Sequence, residues 1–316
     1  MMNMNRMGLL NKITQRKNFK RNLFIFCMLI IPILQFLVFF VYVNFNTIIM
    51  SFRYDTFENW KLVEKWGFKN YTDFFREMKL KNEVRYAIRN SFLFGINDLL
   101  LLSVSLVFSY FFYKKIRGSS VFRIIFFLPS VISIVIYVVV YKEMFVVDGP
   151  IDTLLELIGI ENAPQFDYGK DYLIVLIMFY CLWVGTGYNI LIMGGAMANL
   201  PEEVMEYSRL EGVGYVSELF RVVLPMIWPT ISVAILGSLT TMFTLFIQVD
   251  LLTGGSGGDN NQAYTIAFMI NKSISSGSSA ALNYASTIGV FFTVIATPIV
   301  IIVRKALDKL NDRFGA

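Results

Sequence analysis

The chain contains no histidine and only two cysteines among its 316 residues. Without histidine it lacks the commonest metal ligand and the commonest general base at neutral pH. Cys27 and Cys181 both lie inside apolar runs, so the sequence supports neither a disulfide framework nor a metal cluster. We therefore expect no metal and no cofactor.

Catalytic signatures are also missing from the sequence. The chain has no G-x-x-x-x-G-K-[ST] phosphate cradle, so it does not carry the ATPase site that this motif forms. Paired catalytic carboxylates and a nucleophile elbow are absent as well. We therefore expect a protein that is not an enzyme and has no nucleic-acid partner.

Long hydrophobic runs dominate what is present. The chain is 56% hydrophobic with a mean hydropathy of +0.58, above the ~45–50% apolar content of a soluble domain. A helix needs about twenty apolar residues to cross ~30 Å of hydrocarbon. The sequence predicts an all-α integral membrane protein with six spans, at about 23–43, 91–113, 124–141, 172–198, 226–249 and 280–303.

The charges of the connecting segments predict the orientation. Residues 1–22 contain six Lys or Arg and no acid, whereas 142–171 contains seven acids and two lysines. Positive charge in short loops marks the cytoplasmic side. We expect a multi-pass protein of a bacterial cytoplasmic membrane with both termini inside. Its parts would be a basic N-terminus (1–22), one transmembrane domain (23–304) and a tail (305–316); the apolar N-terminal run is interpreted as a retained span.

A polar stretch interrupts the apolar runs between the fourth and fifth predicted spans. The segment 201–225, called the coupling loop below, reads "PEEVMEYSRLEGVGYVSELFRVVLP". Early acids favour a helix N-terminus, and Gly212 permits the positive φ that often ends a helix. The pattern predicts two short helices around a glycine turn. An amphipathic connector lying on the membrane surface fits the same periodicity.

The spacing within this loop resembles the EAA loop of the permease subunits of ABC importers. Glu206, Tyr207 and Ser208 stand at the Glu-Ala-Ala triplet, Glu211-Gly212 at the Asp-Gly pair, and Leu224-Pro225 at the later Leu-Pro. Tyr207 and Ser208 replace the two alanines, and Val213 replaces the alanine that follows the glycine.

Further segments extend the resemblance over most of the chain. They resemble the carbohydrate-uptake branch, of the maltose and glycerol-phosphate kind: "RNSFLF" (89–94), "FRIIFFLPSVIS" (122–133), "DGPIDTLLELIGI" (148–160), "WVGTGYNILIMGGAMANLPEEVMEYS" (183–208), "LLTGGSGGDNNQAYTIAFMI" (251–270) and "NYASTIGV" (283–290).

The resemblance implies a type I ABC importer permease fold and a set of partners. These are two ATP-binding subunits, a second homologous permease, an extracellular solute-binding protein, a saccharide and the lipid bilayer. The coupling residues would be Glu206, Tyr207, Ser208, Glu211, Gly212, Leu224 and Pro225. Glu206 would contact the ATPase, and Gly212 would fix the angle between the two helices. The Gly-rich segment 253–261 would form a flexible rim that meets the binding protein.

Polar side chains inside spans suggest a substrate path. Trp183, Tyr188, Asn189, Thr244 and Gln248 are the candidates, because amides bind hydroxyls and rings cover the apolar faces of sugars. Polar bonding between helices is the alternative for each of them. For Asp98 we favour an ion pair or hydrogen bond to a neighbouring helix over a role as a gate. An ion-coupled secondary transporter of a small polar solute, or a membrane-bound assembly subunit, remains the alternative function.

Overall fold

A computed structural model describes residues 20–58, 60–146, 148–159 and 172–314. Four helices in this part of the chain are long and apolar enough to cross a membrane, and two bent helix pairs bring the possible spans to six. The expectation of an all-α membrane fold is thus confirmed, with one small β-hairpin added. The basic N-terminus predicted at 1–22 lies almost wholly outside the described residues, as does the end of the acidic segment 142–171.

The elements follow one another in this order: α1 (Lys20–Ser51), β1 (Arg53–Glu58), β2 (Lys61–Trp66), α2 (Lys69–Leu80), α3 (Asn82–Tyr113), α4 (Ser119–Val131), α5 (Ile134–Met144), α6 (Pro150–Leu157), α7 (Leu173–Ala198), α8 (Glu202–Leu210), α9 (Tyr215–Met226), α10 (Trp228–Thr244), α11 (Ile247–Thr253), α12 (Ile266–Ser275) and α13 (Ser279–Phe314). Strands β1 and β2 pair antiparallel, with Arg53 opposite Trp66 and Glu58 opposite Lys61.

Helix α1 stands largely apart from the rest of the bundle. Its large apolar side chains are exposed along most of its length. It is held at its end, where Thr287 of α13 donates a hydrogen bond to the Ser51 carbonyl over 2.9 Å. Just beyond, Ser279 donates to Asp55 of the hairpin over 2.6 Å. The attachment of α1 to the described bundle is therefore concentrated at one end.

Helices α3 and α7 form the centre of the bundle. Three polar side chains of α3 donate to backbone carbonyls of α7: Asn97 to Met178 (3.1 Å), Ser105 to Thr186 (3.3 Å) and Ser109 to Ile190 (3.2 Å). The partners advance in step along both helices, so α3 and α7 run in the same direction. Small polar side chains of this kind hold membrane helices together.

Two predicted spans differ from single helices. The stretch predicted at 124–141 divides into α4 and α5 at Ile132 and Ser133, whose backbones are extended. Pro129 lies one turn before this break and cannot donate a backbone hydrogen bond. The stretch predicted at 226–249 ends as α10 at Thr244 and resumes as α11, and a bend of 80° separates α9 from α10.

The sixth predicted span, by contrast, is longer than expected. Helix α13 has 36 residues and continues from Ser279 through to Phe314, where a separate tail was predicted from 305. Trp228 of α10 donates to the Leu307 carbonyl of α13 over 3.3 Å, and its ring meets that of Phe314 edge-on. The end of α13 therefore packs beside the start of α10.

The contact between α4 and α7 depends on a glycine. A Cβ atom at Gly187 would lie 2.1 Å from the Phe126 carbonyl oxygen, whereas one at Gly195 on the same helix would meet nothing within 4 Å. We expect Gly187→Ala to lower the stability of the detergent-solubilised full-length chain by about 1–3 kcal/mol, because backbone must shift. Thermal unfolding followed by size-exclusion chromatography measures this. Gly195→Ala is the control and should not destabilise; equal effects of the two substitutions would contradict the close packing.

Candidate functional site

A cavity of about 800 Å³ lies among α3, α5, α7, α10 and α11. Three of the predicted path residues line it: Tyr188, Asn189 and Gln248. Tyr188 is 62% exposed, so its ring is presented to the cavity rather than packed away. The cavity thus brings a phenol and two amides to one space.

Helix α7 supplies one wall through a regular stripe. Tyr180, Cys181, Val184, Gly185, Tyr188, Asn189 and Ile192 line the cavity and recur at the spacing of one helix face. Asn189 donates one amide hydrogen to the Gly185 carbonyl over 3.1 Å. That bond fixes the orientation of the amide within the wall. Tyr180 was not predicted, although this spacing was the signal that could have identified it.

The break between α10 and α11 supplies the opposite wall. Leu245 takes an extended conformation there, with a ψ of 110°, and ends the helix. Thr265 donates a hydrogen bond to the carbonyl of Leu245 over 2.6 Å. An unpaired carbonyl in apolar surroundings would be costly, so this bond stabilises the break. Thr241, before the break, and Gln248, after it, both line the cavity.

Two predicted path residues do not reach this cavity. The Trp183 ring packs in the core, with its centroid 5.5 Å from that of Tyr137. Thr244 lies on another face of α10, beside Thr240, where both line a separate cavity of about 470 Å³. Thr244 also donates to the Thr240 carbonyl over 3.2 Å. Thr244 is the last residue of α10, so the break at Leu245 separates it from Gln248 on α11.

Asp98 lines the large cavity from α3. The interpretation favoured from the sequence was an ion pair or hydrogen bond to a neighbouring helix. The structure instead places the half-buried side chain at the cavity wall, beside Leu101 of the same helix. Asp98 therefore belongs with the candidate site.

The coupling loop forms two short helices around a glycine turn, as the pattern predicted. Gly212 has a φ of +70°, and its N–H donates to the Arg209 carbonyl over 3.0 Å, which ends α8. Gly214 instead has a φ of −68°, so only the first glycine needs its conformational freedom. A side chain at position 212 would be strained in this backbone conformation.

One face of the loop is packed against the bundle. Met205 and Leu219 join a buried cluster with Tyr110 of α3 and Met197 of α7. Ser208 is only 4% exposed, so it lies on this packed face of α8. A small residue at that position lets the helix approach the bundle closely.

The other face of the loop is exposed. Glu206 and Glu211 are exposed, together with a group of large side chains: Tyr207 (64%), Leu210 (86%), Tyr215 (65%) and Val216 (72%). Tyr207 therefore points away from the bundle and adds to this surface. Exposed apolar side chains grouped beside acids are typical of a protein–protein contact surface.

Leu224 and Pro225 stand where the loop turns into α10. The turn Leu219–Val223 is a π-helix directly before Leu224, and Pro225, the next residue, has no N–H to donate. Both residues are half-buried and lie just before the 80° bend. They therefore shape the exit of the loop rather than its exposed surface.

Residues 22–313 match the model of the family described as "Binding-protein-dependent transport system inner membrane component". The chain belongs to this family. Membership confirms a membrane-embedded transport component rather than an enzyme.

Relatives within this family are distant in sequence. The chain is 27% identical to the probable ABC transporter permease protein YurN of Bacillus subtilis, over 90% of this chain and 94% of that protein. It is 24% identical to the multiple sugar-binding transport system permease protein MsmF of Streptococcus mutans, over 77% of this chain and 81% of the relative.

Solved structures give the fold independently. One bacterial ABC transporter involved in the import of the acidic polysaccharide alginate superposes with a TM-score of 0.74 at 20% identity, covering 93% of this chain and 98% of the other. The alginate transporter with a pentasaccharide-bound periplasmic protein gives 0.77 at 19%, covering 93% and 97%. The expected ABC importer permease fold is thus confirmed.

One pair of functional candidates was missed from the sequence. Lys114, at the end of α3, forms an ion pair with Glu218 of α9, and their side chains are only 6% and 2% exposed. Neither residue was among the candidates identified from the sequence. The two residues are more than one hundred positions apart, so no local motif indicates their contact.

The cavity can be tested by thiol labelling. In a variant with Cys27 and Cys181 replaced by alanine, we expect Gln248→Cys to react with N-ethylmaleimide about tenfold faster than Val249→Cys. Gln248 lines the cavity, whereas the neighbouring Val249 is 0% exposed. Back-labelling in membranes with a fluorescent maleimide measures both rates. Equal rates would show that the cavity does not admit water-soluble reagents.

Proposed function

We propose that this chain is a permease subunit of an ATP-driven importer that takes up a saccharide delivered by an extracellular binding protein. The coupling loop carries the proposal. Its inner face is packed on α3 and α7, while its outer face presents exposed acids and apolar side chains at one end of the bundle. Such an arrangement suits a part that docks into a separate subunit and transmits its motion.

The exposed face is the proposed contact with an ATPase subunit. Glu206 and Glu211 would supply charged contacts, with Tyr207 providing apolar area beside them. Gly212 sets the angle at which the second helix leaves the first. Two ATPase subunits and a second, homologous permease would complete the membrane assembly.

The large cavity is the proposed saccharide path. Sugars present hydroxyl groups in their plane and apolar C–H faces above and below it. The amides of Asn189 and Gln248 suit the hydroxyls, and the Tyr188 ring suits an apolar face. A few polar groups in a mainly apolar cavity are typical of small-molecule sites. The similarity to the sugar-transport relative MsmF supports a saccharide cargo.

The proposed orientation places the coupling loop and both termini in the cytoplasm of a bacterial cell. The segment 253–261 would then face outward, near the binding protein. It is not loosely held: the Gly257 N–H donates to Thr253 over 3.0 Å, and Asn90 of α3 donates to the Gln262 and Tyr264 carbonyls that follow. The expected flexible rim is therefore better described as a structured one.

The importer would work by alternating access. Closure of the ATPase dimer on ATP would push the coupling loop as a rigid body and open the cavity outward to receive the saccharide. Hydrolysis would return the cavity to the inward-facing state. The permease contributes positioning and a path, while ATP hydrolysis belongs to the partner subunits.

The coupling role predicts the effect of one charge reversal. Glu206→Arg should reduce the amount of ATPase that co-purifies with the tagged chain about tenfold, or ~1.4 kcal/mol. The substitution places a positive charge where the proposed contact uses a negative one. Quantitative mass spectrometry of affinity-purified membranes measures the ratio. Glu202→Arg is the matched control, since Glu202 is also exposed on α8 but lies outside the triplet.

Two results would count against the proposal in different ways. If Glu206→Arg recovers as much ATPase as the unchanged chain, Glu206 is not part of the contact. Saccharide uptake by vesicles that contain this chain alone, without ATP, would contradict an ATP-driven importer and favour an ion-coupled transporter.

A further inference from the structure

The contact proposed for the exposed face of the coupling loop does not involve the buried ion pair between Lys114 and Glu218. Their side chains are 6% and 2% exposed, so water is largely excluded from both charges. The Lys114 ammonium also lies 5.6 Å from the Tyr110 ring centroid and 5.8 Å from that of Tyr215. Aromatic faces attract a cation at such distances.

Burial of two charges is not a general way to gain stability. Well-packed apolar residues of similar volume often serve as well or better, because two charges taken out of water lose their hydration. What a charged pair adds is a preferred geometry between two elements. Here the elements are the end of α3 and the first turn of α9.

Apolar packing also joins these elements at this end, through Tyr110 of α3 and Leu219 of α9. Helix α9 leads covalently into α10, but a bend of 80° at Ile227 separates the two, so α9 does not simply extend α10. The ion pair instead fastens α9 to α3. Helix α3 then runs unbroken from Lys114 back past Asp98 at the cavity, sixteen residues or ~24 Å away.

We propose that Lys114 and Glu218 form a latch that makes α9 and α3 one rigid body, so that motion imposed on the coupling loop reaches the cavity through α3. Both are positioning residues that act through these helices. The latch rests on the proposed function for its role in transport. The rigid joint itself is a property of this chain alone.

A distance measurement tests the joint directly. Spin labels are placed at Val107→Cys on α3 and Arg221→Cys on α9, both exposed, in a background with Cys27 and Cys181 replaced by alanine. Double electron–electron resonance then gives the distance distribution between the labels. The sample is the full-length chain in nanodiscs, alone and with its co-purified partners, with and without ATP and Mg²⁺.

With the native pair we expect one narrow distribution that ATP does not change. Lys114→Met with Glu218→Met removes both charges without leaving an unpaired one, so the chain should still fold. The latch predicts a broadened distribution in this double variant, and a shift of its centre on adding ATP to the complex. The exchanged pair, Lys114→Glu with Glu218→Lys, should restore a narrower distribution.

A narrow, ATP-independent distribution in the double Met variant would overturn the latch, because apolar packing alone would then suffice. Failure of the proposed function looks different. In that case no ATPase would co-purify and ATP would change nothing in any variant, while broadening in the double variant of the chain alone would still support the joint.

Discussion

This structure depends on one constraint: every backbone N–H and C=O in apolar surroundings needs a hydrogen-bond partner. A carbonyl inside a bilayer cannot turn to water, so each interruption of a helix needs a specific partner. The hydroxyl of Thr265 supplies that partner for Leu245 and so permits α10 to stop before α11 begins. Asn90 likewise donates to the carbonyls of Gln262 and Tyr264, in the turn that follows the segment 253–261. The break at Leu245 shapes one wall of the cavity, where Leu245 and Gln248 both line it.

Hydrogen bonds from polar side chains to backbone carbonyls also connect the two ends of the bundle. Asn97, Ser105 and Ser109 fix α3 to α7 along their length, while the loop packs on the ends of both helices. A displacement of the coupling loop is therefore transmitted to two parallel helices, α3 and α7, that are hydrogen-bonded to each other. That stiffness is what a transporter needs if a small displacement at one end is to change access at the other.

Hydropathy and spacing predicted the membrane class, the loop with its turn at Gly212, and the cavity positions of Tyr188, Asn189 and Gln248. Hydropathy and spacing did not predict the features that depend on backbone conformation. Hydropathy does not register where a helix breaks, so the stretch 124–141 looked continuous and Thr244 was grouped with Gln248 in one substrate path. Trp183 has the right chemistry for a sugar but packs against Tyr137. The β-hairpin is short, its second strand is almost wholly exposed, and neither strand shows clear alternation.

The single-ended attachment of α1 has a consequence for how the protein responds to its lipid. The apolar part of α1, 23–43, has 21 residues, or ~32 Å, close to the ~30 Å of hydrocarbon. An apolar stretch longer than the hydrocarbon is thick accommodates the excess by tilting. Because the contacts of α1 are concentrated near Ser51, a change in its tilt would leave the bonds between α3 and α7 intact.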